Sequence, residues 1–303
     1  MAHNQFIRKA ELVIGDNSTG IDFSQLQFSF SIKQADMNSP QTANIRIYNV
    51  SPDTAKQLKI KEYTRVILNA GYQQGNYGLI FDGEIIQARI GRDSPVDTYL
   101  DILAAEGYYS NQSTVNQTLI AGSTDLDAAN VAAVAMGKSL KSYDYDPSVK
   151  LPRGQVLYGM SRDVLHQQAA TAGYSYFYNK GQIHWVPLQT YKPGDAVLLN
   201  ADTGMIGWPE QTEDGIKVRC LLNPLLDVGS RFKIDNASIQ RAQLSSSYTF
   251  VNTLPNVDND GTYRIYVIEH HGDTRGNDWY SDIIGLAVNN DTGFSTLLDK
   301  GQF

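Results

Sequence analysis

Apolar and polar residues alternate along both ends of the chain, and this alternation predicts β-strands. From Leu26 to Ile32 every second residue is apolar and the residues between are polar, which is the period of a strand with one buried face. Similar segments lie at 43–47, 65–70, 79–90 and 98–105 in the first third, and at 196–199, 216–222, 230–234, 242–249, 263–270 and 279–287 in the last third. A short helix is predicted over 52–59, because Ser51 can cap it and Pro52 suits its first turn.

The middle of the chain predicts helices instead. Residues 123–137 begin with a capping residue, have acids in the first turn, are rich in Ala and close with Gly, a combination that favours a helix. A second helix is predicted over 161–172, capped by Ser161 and ended by Gly173. A hairpin follows, with strands at 174–178 and 183–186 around the turn Asn179-Lys180-Gly181-Gln182.

These patterns divide the chain into a β domain over 1–112, a small α/β insert over 113–190 and a second β domain over 191–303. Each β part contains a strand, a turn with Arg and Asp, and a second strand with a tyrosine. Tyr99 follows Gly83 by 16 residues, and Tyr280 follows Gly261 by 19. Two such hairpins on either side of an insert suggest a duplicated β domain, although unrelated hairpins also resemble one another.

Composition narrows the function classes. The chain has 303 residues, of which 42% are hydrophobic, and a formal net charge of −7. It can form real cores, and it would not hold nucleic acid by general attraction to phosphate, although DNA could still slide past it.

Its single cysteine, Cys220, excludes an intrachain disulfide and a cysteine zinc cage, and its strand-like surroundings predict a small buried residue. The chain has neither the apolar stretch of a secretion signal nor a run near the ~20 apolar residues of a membrane helix, so we expect synthesis in the cytoplasm and no membrane anchor.

Two short motifs suggest metal binding only weakly. His270-His271-x-Asp273 supplies common metal ligands, but adjacent residues of a strand face opposite sides, which argues against joint ligation. Asp258-Asn259-Asp260-Gly261 begins like a calcium loop, but position 267, where the loop needs Glu, is Val. We therefore expect a solvated turn at 258–261, and no metal or cofactor.

Evidence for an enzyme is equally weak. No Gly-x-Ser-x-Gly elbow and no phosphate-binding Gly loop occur, and Ser161 is better explained as a helix cap. Paired carboxylates of the kind that hydrolyse glycosides could come from Glu84, Asp101, Asp144, Asp146, Glu210, Glu213 or Asp214. Exposed acids are common in polar segments, so the sequence favours a protein that is not an enzyme.

Three stretches of the chain resemble a known family. Residues 215–234 resemble a signature of the central baseplate hub proteins of tailed phages, the T4-type hub and late control D family. Residues 263–280 resemble the C-terminal hairpin of that family, and residues 65–72 with 79–85 resemble its N-terminal barrel. The resemblance rests on patterned strands and glycines and includes no catalytic fingerprint.

The resemblance implies two tail-tube-like β-barrel domains plus a small α/β domain. It implies a homotrimer whose six barrels form a pseudo-sixfold ring, which joins the sixfold tail tube to the threefold spike and lets DNA pass as transient cargo. Expected partners are the tail tube or a tube-terminating protein, a separate spike protein, and baseplate wedge or sheath-proximal proteins. The spike is expected to be separate because larger relatives continue into it, whereas this chain ends soon after its last hairpin. The expected location is the virion tail baseplate, after synthesis in the host cytoplasm.

Several residues are candidates for structural or interface roles. Gly71, Gly83 and Gly272 are expected where the backbone geometry needs glycine. Trp279 and Tyr280 are candidates for barrel packing or subunit contact. The same group of motif and interface candidates includes Tyr72, Asp273 and Arg275.

Two other functions stay open as alternatives. One is a tail-associated cell-wall hydrolase that uses acids around Asp144 or Glu210. The other is a peptidoglycan-binding module formed by the α/β insert.

Overall fold

The structure, a computed structural model, describes residues 5–16, 19–36, 40–59, 63–146, 149–212, 215–241 and 261–288. Within these residues the protein is mainly β with three α-helices, which confirms the predicted fold class. The helices are α1 Pro52–Lys59, α2 Asp125–Ala135 and α3 Ser161–Ala172. None of the described helices is long and apolar enough to cross a membrane. The predicted strand 242–249 and most of the predicted turn 258–261 lie outside the described residues.

The strands up to the end of the insert are β1 Arg8–Gly15, β2 Gly20–Asp22, β3 Phe28–Ala35, β4 Thr42–Tyr48, β5 Arg65–Tyr72, β6 Tyr77–Arg92, β7 Thr98–Ala105, β8 Thr114–Leu119, β9 Leu140–Ser142, β10 Gln155–Met160, β11 Tyr174–Asn179 and β12 Gln182–Pro187. The strands of the last third are β13 Val197–Leu198, β14 Met205–Thr212, β15 Gly215–Leu221, β16 Arg231–Lys233, β17 Gln240–Arg241, β18 Thr262–Asp273 and β19 Trp279–Leu286.

A single sheet runs through both β regions. Its strand order is β17-β14-β15-β19-β18-β3-β4-β7-β6-β5-β1-β2, and β13 and β16 attach beside β18. The two regions meet where Val267–Asp273 of β18 pairs with Ser29–Ala35 of β3 in antiparallel register. The first and last thirds are therefore joined by backbone hydrogen bonds and not only by side-chain packing.

Three large hydrophobic clusters lie beneath the described strands and helices, beside a small one that contains Tyr266 and Leu286. The first is built from residues 12–104 and also takes in Leu222 and Trp279 of the last third. The second lies between α2, α3 and the sheet β11-β12-β9. The third belongs to the last third and also takes in Phe177 and Val186 of the insert. Each cluster contains the apolar faces of neighbouring elements, and two of them extend across a predicted domain boundary.

The β6–β7 and β18–β19 hairpins are built to the same plan. In the first, Ile86 is an extra residue between the pairs Ile85↔Ala104 and Gln87↔Leu103. In the second, an extra residue lies at the corresponding position, between the pairs Ile265↔Gly285 and Val267↔Ile284. A β-bulge at the same register in both hairpins is a shared structural feature, because bulges bend and twist a strand at a defined point.

The structural register corrects the sequence comparison of these hairpins. Ile85 corresponds to Ile265, so Gly83 corresponds to Tyr263 and not to Gly261. The pairing of Tyr99 with Tyr280 was right, since these two residues lie opposite the corresponding positions Gly91 and His271.

The insert contains both predicted helices, but one predicted cap is wrong. Thr124 and Asp127 form a reciprocal capping box at the start of α2. The residue that precedes α3 is Met160, which makes no side-chain cap, while Ser161 is the first helical residue and is buried. The hairpin turn is as predicted, because Lys180 and Gly181 both have positive φ, as a two-residue type I′ turn requires.

Candidate functional site

One face of the shared sheet is polar across seven neighbouring strands. On β15, β19, β18, β3, β4, β7 and β6, the side chains that point away from the hydrophobic clusters are mostly polar or charged. We call this surface the polar sheet face; its members are Ser29, Ser31, Lys33, Asn44, Arg46, Gln87, Arg89, Asp101, Arg219, Glu269, His271, Asp273, Tyr280 and Asp282. It curves around a groove of about 640 Å³.

The arginines of the polar sheet face are paired with carboxylates. Arg46 donates to both oxygens of Asp101 at 2.7 and 3.1 Å, and Arg89 donates to the same carboxylate at 3.0 Å. Partial burial would raise the pKa of Asp101, but the two arginines outweigh it and hold the pKa below its usual value. These cations are therefore already satisfied, and the face offers a phosphate backbone less attraction than the same arginines would without partners.

The same three-residue unit occurs in both β regions. Arg46 lies opposite Asp101, and its guanidinium stacks 4.0 Å from the ring centroid of Tyr99. Arg219 lies opposite Asp282, to which it donates at 2.7 and 2.9 Å, and it stacks 4.3 Å from the ring of Tyr280. In both units the tyrosine lies two residues before the aspartate on the second strand of the hairpin. This agreement in side-chain contacts extends the structural repeat beyond the backbone.

A buried arginine joins all three regions of the chain. Arg264 of β18 and Asp36, which follows β3, form an ion pair whose side chains are both fully buried. Arg264 also donates to the Ser175 hydroxyl at 2.7 Å and to the carbonyl oxygens of Pro187 and Thr190 at 2.6 and 2.9 Å. We call this arrangement the Arg264 junction. Because hydrogen bonds are directional, it fixes the angle at which the regions meet.

A second buried contact holds the hairpin of the insert against the first β region. The Glu106 carboxyl group accepts a hydrogen bond from the Gly181 amide at 2.5 Å, and Gln34 donates to the Tyr178 carbonyl at 2.7 Å. Burial raises the pKa of Glu106 to about 7, although the Gly181 amide acts in the opposite direction.

The three candidate glycines lie where added atoms would clash. Gly71 has a φ of +150°, and a Cβ there would lie 2.0 Å from the Asn76 carbonyl oxygen. At Gly83 a Cβ would lie 2.8 Å from the Ala105 backbone, and at Gly272 it would lie 2.3 Å from the Phe30 ring. The backbone and ring positions around these glycines are incompatible with a larger residue.

The candidate aromatic residues separate into core and surface. Trp279 is buried, packs edge-on against Phe30 with ring centroids 5.7 Å apart, and has the Arg8 guanidinium above it. Tyr72 is buried in the same cluster, and burial raises its pKa to about 12. Tyr280 is half-buried on the polar sheet face. Trp279 therefore packs in the core, whereas Tyr280 lies on the surface, and its role in subunit contact stays a prediction.

Asp273 and Arg275 form the turn between β18 and β19. The Asp273 carboxylate accepts from the amides of Arg275 and Gly276 at 2.8 and 2.7 Å. This is the hydrogen-bonding pattern of a turn stabilised by an Asp side chain. The Arg275 side chain is exposed, with its guanidinium 3.5 Å from the Gln25 carbonyl oxygen.

The histidine motif is divided between two faces. His270 is buried and shares a 2.7 Å hydrogen bond with Ser281, and burial lowers its pKa to about 4. His271 lies on the polar sheet face, 3.3 Å from Glu269. In the described part of the chain, no group of three or more His, Cys, Asp or Glu side chains is placed to hold a metal ion.

The candidate carboxylates have structural partners or lie apart. Glu84 accepts from the Tyr108 amide at 2.8 Å, and Asp101 is held by two arginines. Asp144 lies in the insert, whereas Glu210 lies on β14 of the last third. Residues 213 and 214 lie outside the described part of the chain. Cys220 is buried as predicted, and burial raises the pKa of its thiol to about 12.

Sequence reasoning missed the residues that join the regions. Arg264, Asp36 and Glu106 are polar residues in or beside strands, and nothing in their local sequence distinguishes them from exposed polar residues. The arginine and aspartate of the repeated unit had a weak signal, since both hairpins contain a tyrosine two residues before an aspartate.

Two solved structures with this fold are tail proteins. The 43 kDa tail protein of prophage MuSo2 from Shewanella oneidensis superposes with a TM-score of 0.61 at 7% identity, over 93% of this chain and 98% of that one. The tail protein from Neisseria meningitidis MC58 superposes with a TM-score of 0.59 at 8% identity, over 91% of this chain and 96% of that one.

A third similar structure is the E. coli c3393 protein, a component of the type VI secretion system with structural similarity to the T4 tail proteins gp27 and gp5. Its TM-score is 0.57 at 9% identity, over 91% of this chain and 76% of that one. At such identities the likeness shows the fold alone. No curated protein matches the sequence.

The continuous sheet and the repeated hairpin give this chain the β-rich fold of these tail and secretion-system proteins. The match to a family model, over residues 9–283, makes the assignment more specific. The chain belongs to the baseplate hub gp41 family. The predicted resemblance to baseplate hub proteins is confirmed, and the protein is a structural component of the virion tail.

Proposed function

We propose that three copies of this chain form a ring that joins the sixfold tail tube to the threefold spike. The observation that supports it is the structural repeat. Each chain contains two hairpins with the same bulge and the same Arg–Asp–Tyr unit, within one sheet. A trimer built from such chains offers six similar surfaces, which is what a sixfold tube needs from a threefold adaptor.

In this proposal the chain has two tail-tube-like β-barrel domains, 1–112 and 191–303, and an α/β insert, 113–190. The three hydrophobic clusters support the division, since each is built mainly from one of these segments. The Arg264 junction and the β18–β3 pairing then hold the two barrels in one fixed relation.

The polar sheet face is the proposed wall of the DNA channel. Its strands belong to both β regions, so a ring of three chains can continue it around a lumen. Asp101 and Asp282 neutralise its stacked arginines, and the whole chain has a net charge of −7. Such a wall lets DNA pass as transient cargo without holding its phosphates.

The proposed partners are the tail tube or a tube-terminating protein, a separate spike protein, and baseplate wedge or sheath-proximal proteins. The proposed role is mechanical, without catalysis, cofactor or membrane anchor, and the chain is made in the host cytoplasm before assembly. The cell-wall hydrolase alternative gains no support from Glu84 or Asp101, which serve structural contacts. Release of dye from labelled cell walls by the purified protein would favour that alternative.

The molecular mass of the purified protein and its position on the virion test the proposal. Light scattering of the purified chain should give about three times 33.6 kDa, and negative-stain images should show a ring with six similar lobes. Gold-labelled antibodies should bind virions at the end of the tail distal to the head. A monomer at every concentration tested, together with labelling elsewhere on the virion, would overturn the proposal.

A further inference from the structure

The second half of β6 has an edge that no other described strand covers. Residues Tyr77–Glu84 of β6 pair with β5 on one side, but from Ile85 to Arg92 the strand pairs only with β7 among the described strands. In the other hairpin, the corresponding half of β18, Val267–Asp273, lies between β19 and β3. Within the described residues, the first repeat therefore lacks a neighbour that the second repeat has.

Burial differs at the two corresponding edges. Ile90 and His270 occupy the same position of the repeat, on the side of the sheet that faces the hydrophobic clusters. His270 is 3% exposed beneath the β3 edge, whereas Ile90 is 45% exposed. An exposed isoleucine on an uncovered strand edge is typical of a surface that binds another strand.

The strand that corresponds to β3 in the last third is β14. Ser29 of β3 lies opposite Arg46, and Ile206 of β14 lies opposite Arg219, the same arginine of the repeated unit. Among the described residues, the outer side of β14 pairs with β17 at Glu210 and Gln211, near its C-terminal end. Towards its N-terminal end, Ile206 and Trp208 are 41% and 64% exposed. The outer edges of β6 and β14 thus both present apolar side chains.

We infer that the Met205–Trp208 segment of β14 in one copy adds to the second half of β6 in the next copy, as β3 adds to β18 within the chain. This inference rests on the proposed ring and names the strands that close it. Asp273 lies opposite Ser29 in the internal pairing, so Asp93 of one copy lies opposite Ile206 of the next. In the same antiparallel register Trp208 lies opposite Gly91, and Ile90 follows at the end of the paired segment.

The occupant is a second copy because the chain already contains one example of this pairing. The β18–β3 contact joins the two repeats within a chain, and a ring needs a corresponding contact between chains. The antiparallel direction is fixed by the same comparison, because β6 and β14 must keep the relative direction of β18 and β3. The pairing would bury an edge that is a liability in an isolated chain.

Disulfide trapping tests the register. Opposed antiparallel residues have Cα atoms about 4.5–5.5 Å apart, within the range that a disulfide bridges. The double variant Asp93→Cys/Ile206→Cys should form covalent dimers and trimers under mild oxidation. The control variant Val134→Cys/Ile206→Cys should not, because Val134 is equally accessible but lies on α2. Native Cys220 is buried and should not contribute.

A substitution at the edge tests the energetics. Ile90→Asp should weaken self-association at least tenfold by analytical ultracentrifugation. Val134→Asp, at an exposed apolar position on α2, should leave it unchanged. Circular dichroism and thermal unfolding check that both variants fold.

The outcomes separate this inference from the proposed function. Wild-type trimers with no cross-link between positions 93 and 206, and no effect of Ile90→Asp, would overturn the strand assignment and leave the ring. A wild-type chain that stays monomeric at every concentration would overturn the contact between copies, while gold labelling of virions would still decide the role in the baseplate. Covalent trimers together with weakened Ile90→Asp association support the inference.

Discussion

Replacing Arg264 by methionine tests whether the Arg264 junction holds the three regions together. Methionine keeps an unbranched apolar side chain but removes every donor. The Asp36 carboxylate would then lose its buried ion-pair partner, and the Ser175 hydroxyl and the Pro187 carbonyl would lose the guanidinium. These groups are inside the protein, so water cannot replace the lost hydrogen bonds without local opening.

The expected loss is large because the partner stays buried. Removing one member of a buried ion pair typically costs about 3–5 kcal/mol, since the remaining charge is left uncompensated. The matched control is Arg65→Met. Arg65 donates to both oxygens of Asp82 at 2.7 and 2.6 Å, but its side chain is 45% exposed. An exposed pair contributes about 0–1 kcal/mol, so burial and not pairing geometry should separate the two variants.

Urea unfolding at pH 7 and matched protein concentration measures both variants. Arg264→Met should lower the free energy of unfolding by several kcal/mol more than Arg65→Met. The double variant Asp36→Leu/Arg264→Met should be less destabilised than Arg264→Met alone, because apolar pairs often replace buried ion pairs at little cost. Equal effects of Arg264→Met and Arg65→Met would refute the idea that this junction stabilises the fold.

Three further variants test the other sites. Gly272→Val should cost at least about 2 kcal/mol, because its Cβ would lie 2.3 Å from the Phe30 ring, while Gly78→Val, whose Cβ would lie 3.7 Å from its nearest neighbour, should cost less in thermal unfolding. Glu106 has a folded pKa of about 7, so the fold loses stability as pH rises from about 4.5 to 7. The free energy of unfolding in urea should therefore be about 3 kcal/mol lower at pH 8 than at pH 5, and Glu106→Gln should remove this difference. His270 has a folded pKa of about 4, so stability falls as pH drops from about 6.5 to 4; His270→Asn should be less sensitive in that window, and an unchanged acid transition would contradict the assignment.

Strands with one buried face were predictable from sequence. In β3 and β4, buried and partly exposed residues alternate as the apolar pattern indicates, because a single side of each strand meets the core. The hairpin of the insert was equally predictable, since its turn residues tolerate the positive φ that a two-residue turn demands. Local sequence patterns were sufficient where a single strand or a single turn determines the local structure.

Other strands could not be predicted, because their sequences lack a clear alternation of apolar and polar residues. β8 has two buried residues, Val115 and Leu119, and it pairs with β10, whose exposed side chains include Val156 and Tyr158. Neither segment has a regular apolar alternation, so neither was predicted as a strand. β1 was not predicted either: Leu12 and Ile14 are fully buried, but Val13 between them is also apolar, so the segment does not alternate.

Long-range partners could not be predicted from a single sequence. Arg264 and Asp36 are 228 residues apart, and each lies in a polar-apolar pattern that also suits an exposed side chain. The register of the repeat was misaligned by two residues at Gly83 for a related reason. The turn is one residue longer in the second hairpin, and Gly261 lies two residues before the true counterpart of Gly83, so matching glycines does not preserve the pairing that hydrogen bonds impose.

The continuous sheet changes what the repeat means for a ring. Two barrels packed through apolar side chains alone could meet at several angles, because hydrophobic contact has no preferred direction. Here the backbone pairing of β18 with β3 sets the angle between the repeats, and the Arg264 junction adds directional hydrogen bonds beneath it. A closed ring requires the contact between chains to reproduce that angle. In the proposed ring, the second half of β6 and the exposed N-terminal end of β14 take the places of β18 and β3, so we expect the geometry within one chain to set the geometry between chains.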